Sequence, residues 1–337
     1  MALLKLRYDL RSRNPDRDFR ADLYTTALEQ IAWADRCGFH SVQLHEHHGA
    51  GDGYLPSPIV MGAAAAARTT SIGIEIGALL VPLHDPLRLA EDLAVLDLIS
   101  RGRLTIVPGV GYVPEEYAMF GKDKSKRGVT LDRGIAVFRK AWTGEQFDHE
   151  GRQVRVTPRP YQRPGPRIVV GGGSRPAAER AARLGDGFAP HLPEAWEYYR
   201  DALVSSGRPD PGPMPPSSPR FVHVSDDPER AWHDLAPYLL YEMNAYGEFA
   251  EKAAEHTGYR TVADLGELRT SEHYRIVTPS ECVALIDQLG PAGSFTFRPL
   301  AGGIPPELSW EGLRLFETEV LPHIRNDRAA NTADVPG

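Results

Sequence analysis

The sequence predicts an α/β fold, a (β/α)8 TIM barrel with insertions. Three observations predict it. Short apolar runs alternate with amphipathic helical runs almost from end to end. Glycine or proline punctuates most of the changes. The polar residues able to do chemistry gather where the short runs stop. A length of 337 residues suits one such barrel over residues 1–325. An open doubly wound sheet is the competing arrangement for the same alternation.

Each element rests on a local pattern. Residues 3–10 (LLKLRYDL) read as the first strand. Residues 22–37 read as the helix behind it, with Leu23, Ala27, Ile31 and Ala34 at helical spacing and Gly38 as C-cap. Strand 39–44 leads to helix 57–68, which has Pro58 in its first turn. Strand 72–81 leads to helix 86–99, where Leu89, Ala90, Leu93 and Leu96 are among the apolar positions. Strand 103–109 leads to helix 126–142, and strand 167–171 to helix 175–184. In the second half a short strand at 187–190 precedes a helix from Glu194, strand 220–224 precedes helix 228–246, and strand 294–298 precedes helix 309–324.

Three stretches fall outside the repeat: residues 143–166, 205–219 and 247–278. The last, followed by a helix at 279–289, is either a lid over the site or a surface elaboration. Residues 326–337 read as a disordered tail.

Composition narrows the function. At 42% hydrophobic and 25% charged residues the chain reads as a soluble globular protein. A net charge of -7 argues against a basic face for nucleic acid. Residues 1–10 carry charge without an apolar signal core, and the most apolar stretch, 59–67, is too short to span a bilayer. The expectation is a cytoplasmic protein with no membrane role. Cys37 and Cys282 have no CxxC partner and read as buried thiols.

In a barrel, functional side chains belong at the C-terminal ends of strands. Asp9 follows the first strand, His45-Glu46-His47-His48 the second and His84 the third. Gly109-Val110-Gly111-Tyr112 follows the fourth and Gly171-Gly172-Gly173-Ser174 the fifth. His191, His223 and Arg298 follow the last three. The His-Glu-His-His run is open to three readings: acid–base chemistry or cofactor contact, metal ligation, or a structural hydrogen-bonded pair. Metal is disfavoured, because no aspartate closes the eighth strand as barrel metallohydrolases usually require, and no metal is expected. The glycine run opening a helix suits a phosphate, with Ser174 as cap or donor and Arg127 within reach from the neighbouring loop; a plain βα turn is the alternative. The charges of residues 86–111, in Ala90-Glu91-Asp92, Leu96-Asp97 and Ser100-Arg101-Gly102-Arg103, read as a clamp between helix and strand.

Taken in order, these motifs resemble one family. They include Ala34-Asp35-x-x-Gly38-Phe39, Glu46-His47-His48, Ala67-Arg68-Thr69 and Pro82-Leu83-His84-Asp85-Pro86. Leu96-Asp97-x-x-Ser100-x-Gly102-Arg103, Gly109-x-Gly111-Tyr112, Phe120-Gly121-x-Asp123 and the glycine run complete the set. The chain is similar to the bacterial luciferase-like flavin-dependent monooxygenases from about residue 6 to 325. The resemblance implies reduced FMN delivered by a separate flavin reductase, O2 as co-substrate, oxygenation of a small organic molecule, and a homodimer packed through early helices.

It also implies roles for residues. His47 matches the family's catalytic histidine, with Glu46 beside it orienting it or facing the flavin. Arg127, Gly172, Gly173 and Ser174 match phosphate contacts, and Tyr112 lies in the cofactor-binding stretch. Gly77 and Ala78 fall where a non-prolyl cis peptide often underlies the flavin ring. His84, His191, His223 and Arg298 are candidate substrate contacts. There is one departure: Val110 stands where luciferase has a phosphate-binding arginine, and Lys122, Lys124 or Lys126 could compensate. That departure keeps an alternative open, a dehydrogenase or reductase using the deazaflavin coenzyme F-420. A non-catalytic flavin-binding protein and a metal-dependent hydrolase using His45, His47 and His48 are the remaining readings.

Overall fold

The protein was analysed as a computed structural model, which describes residues 1–253 and 259–324. The tail expected at 326–337 lies outside the described residues. In chain order the elements are β1 (Leu3–Tyr8), α1 (Arg17–Arg36), β2 (Ser41–Leu44), α2 (Pro58–Arg68), β3 (Gly73–Leu79), α3 (Pro86–Ser100) and β4 (Leu104–Pro108). Next come α4 (Pro114–Met119), α5 (Arg127–Ala141), β5 (Phe147–His149), β6 (Arg152–Val154), β7 (Arg167–Gly172), α6 (Arg175–Leu184), β8 (Gly187–Pro190) and α7 (Pro193–Ser205). The chain continues with β9 (Phe221–Val224), α8 (Pro228–Ala253), α9 (Leu265–Thr270), β10 (Tyr274–Val277), α10 (Pro279–Leu289), β11 (Ser294–Phe297) and α11 (Pro306–Leu315). This β/α alternation is that of the (β/α)8 class. No helix among the described residues is long and apolar enough to cross a membrane.

The described residues divide into two compact units, and the division falls inside β2. One comprises residues 1–42, 215–247 and 260–324; the other comprises 43–214, 248–253 and 259.

In the first unit β1 pairs in parallel with β11, placing Leu4 opposite Phe295 and Leu6 opposite Phe297. The inward side chains join an aromatic core in which Phe316 stands 4.8 Å from Phe297 and 5.9 Å from Phe39. Helix α1 starts at Arg17, five residues before the expected start, because the Asp16 carboxylate accepts from Phe19 N at 2.8 Å and caps the first turn. Helix α8 runs on to Ala253 and does not stop at 246. Strand β10, inside the stretch expected to be a polar insertion, pairs in parallel with β9, with Phe221 opposite Tyr274 and Val224 opposite Val277. The last predicted helix is shifted: α11 begins at Pro306 and passes at Phe316–Val320 into a π-helical turn.

His223 is corrected here. It sits in β9, stacked parallel to Phe221 with ring centroids 6.4 Å apart. A Cβ added at Gly312 of α11 would lie 2.6 Å from His223 Cε1, so the imidazole fills the space between strand and helix. It is a core residue and not a surface that meets substrate, and burial pushes its pKa down to about 4.

In the second unit β3, β4, β7 and β8 form a parallel ladder, with Ile76 opposite Ile106, Ile106 opposite Ile168 and Val170 opposite Phe188. The excursion at 143–166 contains an antiparallel hairpin of β5 and β6. Arg103 acts as the expected clamp. Its guanidinium donates to the carbonyls of Ser100, Ile72, Ala66 and Thr69 and to Thr69 Oγ1 at 2.7–3.1 Å. Most of these are carbonyls that the ends of α2 and α3 leave without helical partners. Asp97 binds Gln162 N and Nε2 at 2.8 and 2.7 Å, fastening the excursion to α3.

Two outcomes follow. Arg103→Met strands several buried carbonyls and should lower unfolding free energy by about 3 kcal/mol, measured by urea denaturation. His223 has a folded pKa below its ordinary 6.5, so the unfolded chain takes up the proton first as pH falls, and stability is lost between pH 6.5 and about 4. His223→Phe should remove on the order of 2–3 kcal/mol of that acid-induced loss, read as the difference in urea midpoint between pH 7 and pH 4.5.

Candidate functional site

Eleven of the thirteen residues singled out in the sequence lie in the second unit; His223 and Arg298 lie in the first. The loop leaving β2 carries His45 to His48, and extended backbone sends successive side chains to opposite sides. His45 turns back to Gln43, with Nε2 3.0 Å from Oε1. Glu46 is 2% exposed and faces away from His47. One of its oxygens accepts from His48 Nε2 at 2.9 Å and from His84 Nε2 at 2.6 Å; the other accepts from Leu80 N at 2.6 Å, just past β3. Burial alone would raise the Glu46 pKa, but these donors overcome it and hold the carboxyl at about 2. Burial works against the His84 cation, yet the Glu46 carboxylate wins and raises its pKa.

His47 has a different carboxylate partner. Its Nδ1 lies 2.7 Å from Glu116 Oε1, which also accepts from His48 N at 2.8 Å. Glu116 comes from α4, a six-residue helix absent from the sequence reading. A signal for it was present: Pro114 followed by two glutamates marks a helix first turn. The expectation that Glu46 orients His47 is therefore corrected, because Glu116 makes that contact. Nε2 is thus the ring nitrogen that does not face Glu116. Tyr54, Tyr112 and Phe249 surround the imidazole at centroid distances of 4.8, 5.4 and 5.2 Å. Phe249 comes from the end of α8, so part of the 247–278 stretch covers the histidine. Tyr54 and Phe249 carried no sequence signal of this role.

The remaining residues are arranged around neighbouring strand ends. The Gly77–Ala78 peptide is cis. Arg127 opens α5 and donates to Gly111 O at 3.0 Å. Helix α6 docks against the first turn of α5, with Arg180 reaching Gly128 O at 3.3 Å. This brings the Gly172-Gly173-Ser174 turn toward the helix that Arg127 begins. Ser174 occupies the N-cap position of α6 in an extended conformation, and its hydroxyl makes no capping bond. His191 lies over the same turn: a Cβ on residue 173 would meet His191 Nε2 at 2.3 Å, so a larger residue there would displace the imidazole. A phosphate suits this turn, with its small residues, uncommitted hydroxyl and helix N-terminus.

In the first unit Arg298 is 2% exposed and binds two carboxylates, Asp9 at 2.9 Å and Glu242. Tyr246 adds a hydroxyl to Asp9 at 2.9 Å, and Tyr274 one to Glu242 at 3.1 Å. Burial raises both acids. At Asp9 the nearby guanidiniums, Arg298 foremost, more than reverse that and lower the pKa, whereas at Glu242 burial prevails. Arg298, expected to contact substrate, is the hub of this buried network.

Comparison with known proteins identifies the family. The model of the luciferase-like monooxygenase family matches residues 10–288. The chain is 27% identical over 278 residues to 4-hydroxyprotoasukamycin monooxygenase of Streptomyces nodosus subsp. asukaensis, covering 76% of this chain and 74% of that one. A Sinorhizobium fredii relative of uncharacterized function is 28% identical over 49% of this chain, and the chain spans only about half of that relative's length (48%). Among solved structures, monooxygenase RslO1 of Streptomyces bottropensis superposes with a TM-score of 0.74 at 27% identity, over 96% of this chain and all of that one. The oxygenating constituent of 3,6-diketocamphane monooxygenase from Pseudomonas putida, solved with FMN, shares the fold with a TM-score of 0.73 at 21% identity, over 96% and 99% of the two chains. A family match over most of the sequence, on a fold shared nearly end to end, means that the chain belongs to the luciferase-like monooxygenase family.

Proposed function

We propose that this protein is the cytoplasmic oxygenase component of a two-component flavin-dependent monooxygenase, which takes reduced FMN from a separate reductase and uses O2 to oxygenate a small organic substrate. The observation that carries this reading is the His47–Glu116 pair, a buried imidazole oriented by a buried carboxylate inside an aromatic enclosure. Bound reduced flavin supplies the two electrons with which one atom of O2 enters the substrate and the other leaves as water.

The chain's own residues bind, orient and keep out water. Gly172, Gly173 and Ser174 at the start of α6 would hold the flavin phosphate, with Arg127 adding charge. Gly77 and Ala78 would form the floor beneath the ring, with Tyr112 beside His47. His47 Nε2 would accept and return a proton at the reacting centre. Glu116 would orient the ring for that exchange through Nδ1. Glu46 acts at one remove, tying the loop that carries His47 to the turn after β3 through Leu80 N and His84. Tyr54 and Phe249 exclude water from the imidazole. His84 and His191 remain candidate contacts at the edge of this unit.

The homodimer belongs to the same reading. Val60 on α2 and Val95, Leu98 and Ile99 on α3 expose 39–71% of their surface, and Val60, Val95 and Ile99 line a cavity of about 720 Å3. Such an apolar face suits a second copy. Val60→Glu combined with Val95→Glu should convert a dimer to a monomer, as measured by light scattering at micromolar concentration.

The central test is anaerobic titration with FMNH2 and, separately, with reduced deazaflavin, followed by mixing with oxygenated buffer. FMNH2 should bind, with O2-dependent reoxidation that Glu116→Gln and His47→Ala both alter. With a substrate in hand, Glu116→Gln should lower turnover by about 10²-fold while changing FMNH2 affinity only a few-fold. Binding of the deazaflavin alone, without oxygen consumption, would replace this reading with hydride transfer by coenzyme F-420.

A further inference from the structure

We infer that Glu46, His48 and His84 form a site for one first-row divalent cation, of which Zn2+ is the representative, fastening the loop that carries His47 to the turn after β3. The sequence pointed to His45, His47 and His48 as metal candidates, but those three do not converge, because His45 turns to Gln43 and His47 to Glu116. The set that does converge offers two imidazole nitrogens and one carboxylate oxygen, all within 4.8 Å of one another. Two histidines and one carboxylate are a recurrent donor set for zinc and related ions, leaving positions for water.

The surroundings resemble those of a ligand set held in place for an ion. Glu46 is buried, and its second oxygen is fixed by Leu80 N at 2.6 Å, the kind of outer contact that orients a ligating carboxylate. His48 is held on both sides: its backbone N–H binds Glu116 and its ring stacks edge-on against Phe120 at 4.8 Å. His84 and Glu46 form part of the wall of the 720 Å3 cavity between α2 and α3.

Both Nε2 atoms now donate to Glu46 Oε1, at 2.9 and 2.6 Å. An ion would take the place of those two hydrogens, each ring presenting the Nε2 lone pair and keeping its remaining hydrogen on Nδ1. Tetrahedral metal–ligand bonds of about 2.0–2.2 Å set ligand atoms about 3.3–3.6 Å apart, so the 2.6 and 2.9 Å edges lengthen by about half an ångström or more while any longer edge within the 4.8 Å spread closes. His84 lies on a short turn, its side chain is 31% exposed, and it can supply that movement. Glu46 and His48 flank His47 in the chain, so the ion would stiffen the segment that presents the imidazole.

The test uses the full chain, stripped with chelator and titrated with Zn2+ by calorimetry, with thermal melting in parallel. One Zn2+ per chain with a micromolar or tighter Kd is expected, with a rise in melting temperature. His84→Ala and Glu46→Gln should each weaken binding by at least ~10–100-fold. His233→Ala, which removes an exposed histidine elsewhere, should leave it unchanged. Co2+ should give the visible bands of a nitrogen- and oxygen-ligated site in the wild type and lose them in His84→Ala, a readout independent of flavin or turnover. No saturable binding in the wild type, or an affinity unchanged in His84→Ala and Glu46→Gln, would overturn the inference.

Discussion

A buried carboxylate must have its oxygens filled with donors, and at the end of β2 that requirement organises everything around it. Removing a carboxylate from water costs several kcal/mol unless hydrogen bonds replace the lost hydration. Glu46 and Glu116 are both buried within a few residues of His47 in space. Glu46 meets it at both oxygens, whereas Glu116 meets it at Oε1 alone, its Oε2 being buried without a hydrogen-bond partner. Glu46 takes Leu80 N with His48 and His84; Glu116 takes His48 N with His47. The result is a loop whose side chains have few alternative arrangements. The orientation of the His47 ring follows from its contact with Glu116 Oε1.

The same requirement gives a different result in the other unit. Asp9, Glu242 and Arg298 satisfy one another together with Tyr246 and Tyr274, and Arg11 lies 4.7 Å from the Tyr246 ring centroid. Charges so placed favour one packing of β1, β11 and α8, since removing any partner strands another. A strand-end arginine or histidine therefore does not by its address contact substrate. Arg298 is occupied by carboxylates and His223 by the backbone of α11. Position along a strand says where a residue is, and only its partners say what it does.

That distinction accounts for what the sequence revealed. Strands such as Gly187–Pro190 and helices such as Arg175–Leu184 were legible to the residue, because proline and glycine bracket them. Strand β10 was not: Tyr274–Val277 alternates correctly, but four residues inside a polar stretch resemble a loop. The helix predicted at 228–246 ended one residue short of Gly247. In the structure it allows a close approach, since a Cβ there would lie 2.6 Å from the backbone of Arg260, and α8 runs through it. At the site, His47, the glycine turn and the Gly77–Ala78 bond could be placed from motif order. Glu116 could not, because its pairing with His47 spans 69 positions and depends on a short helix whose fold is set by tertiary contact.

The departure at Val110 can be weighed in the same terms. Losing one charged phosphate contact weakens a cofactor's hold without changing which atoms react. The residues that decide between oxygen chemistry and hydride transfer lie around the imidazole, where a proton has to be managed away from water. Here the imidazole is held by Glu116 and ringed by Tyr54, Tyr112 and Phe249. Such an enclosure guards a species that water would destroy. Hydride transfer between two bound carbons has less need of that protection, which favours the oxygenase reading even with Val110 in place of an arginine.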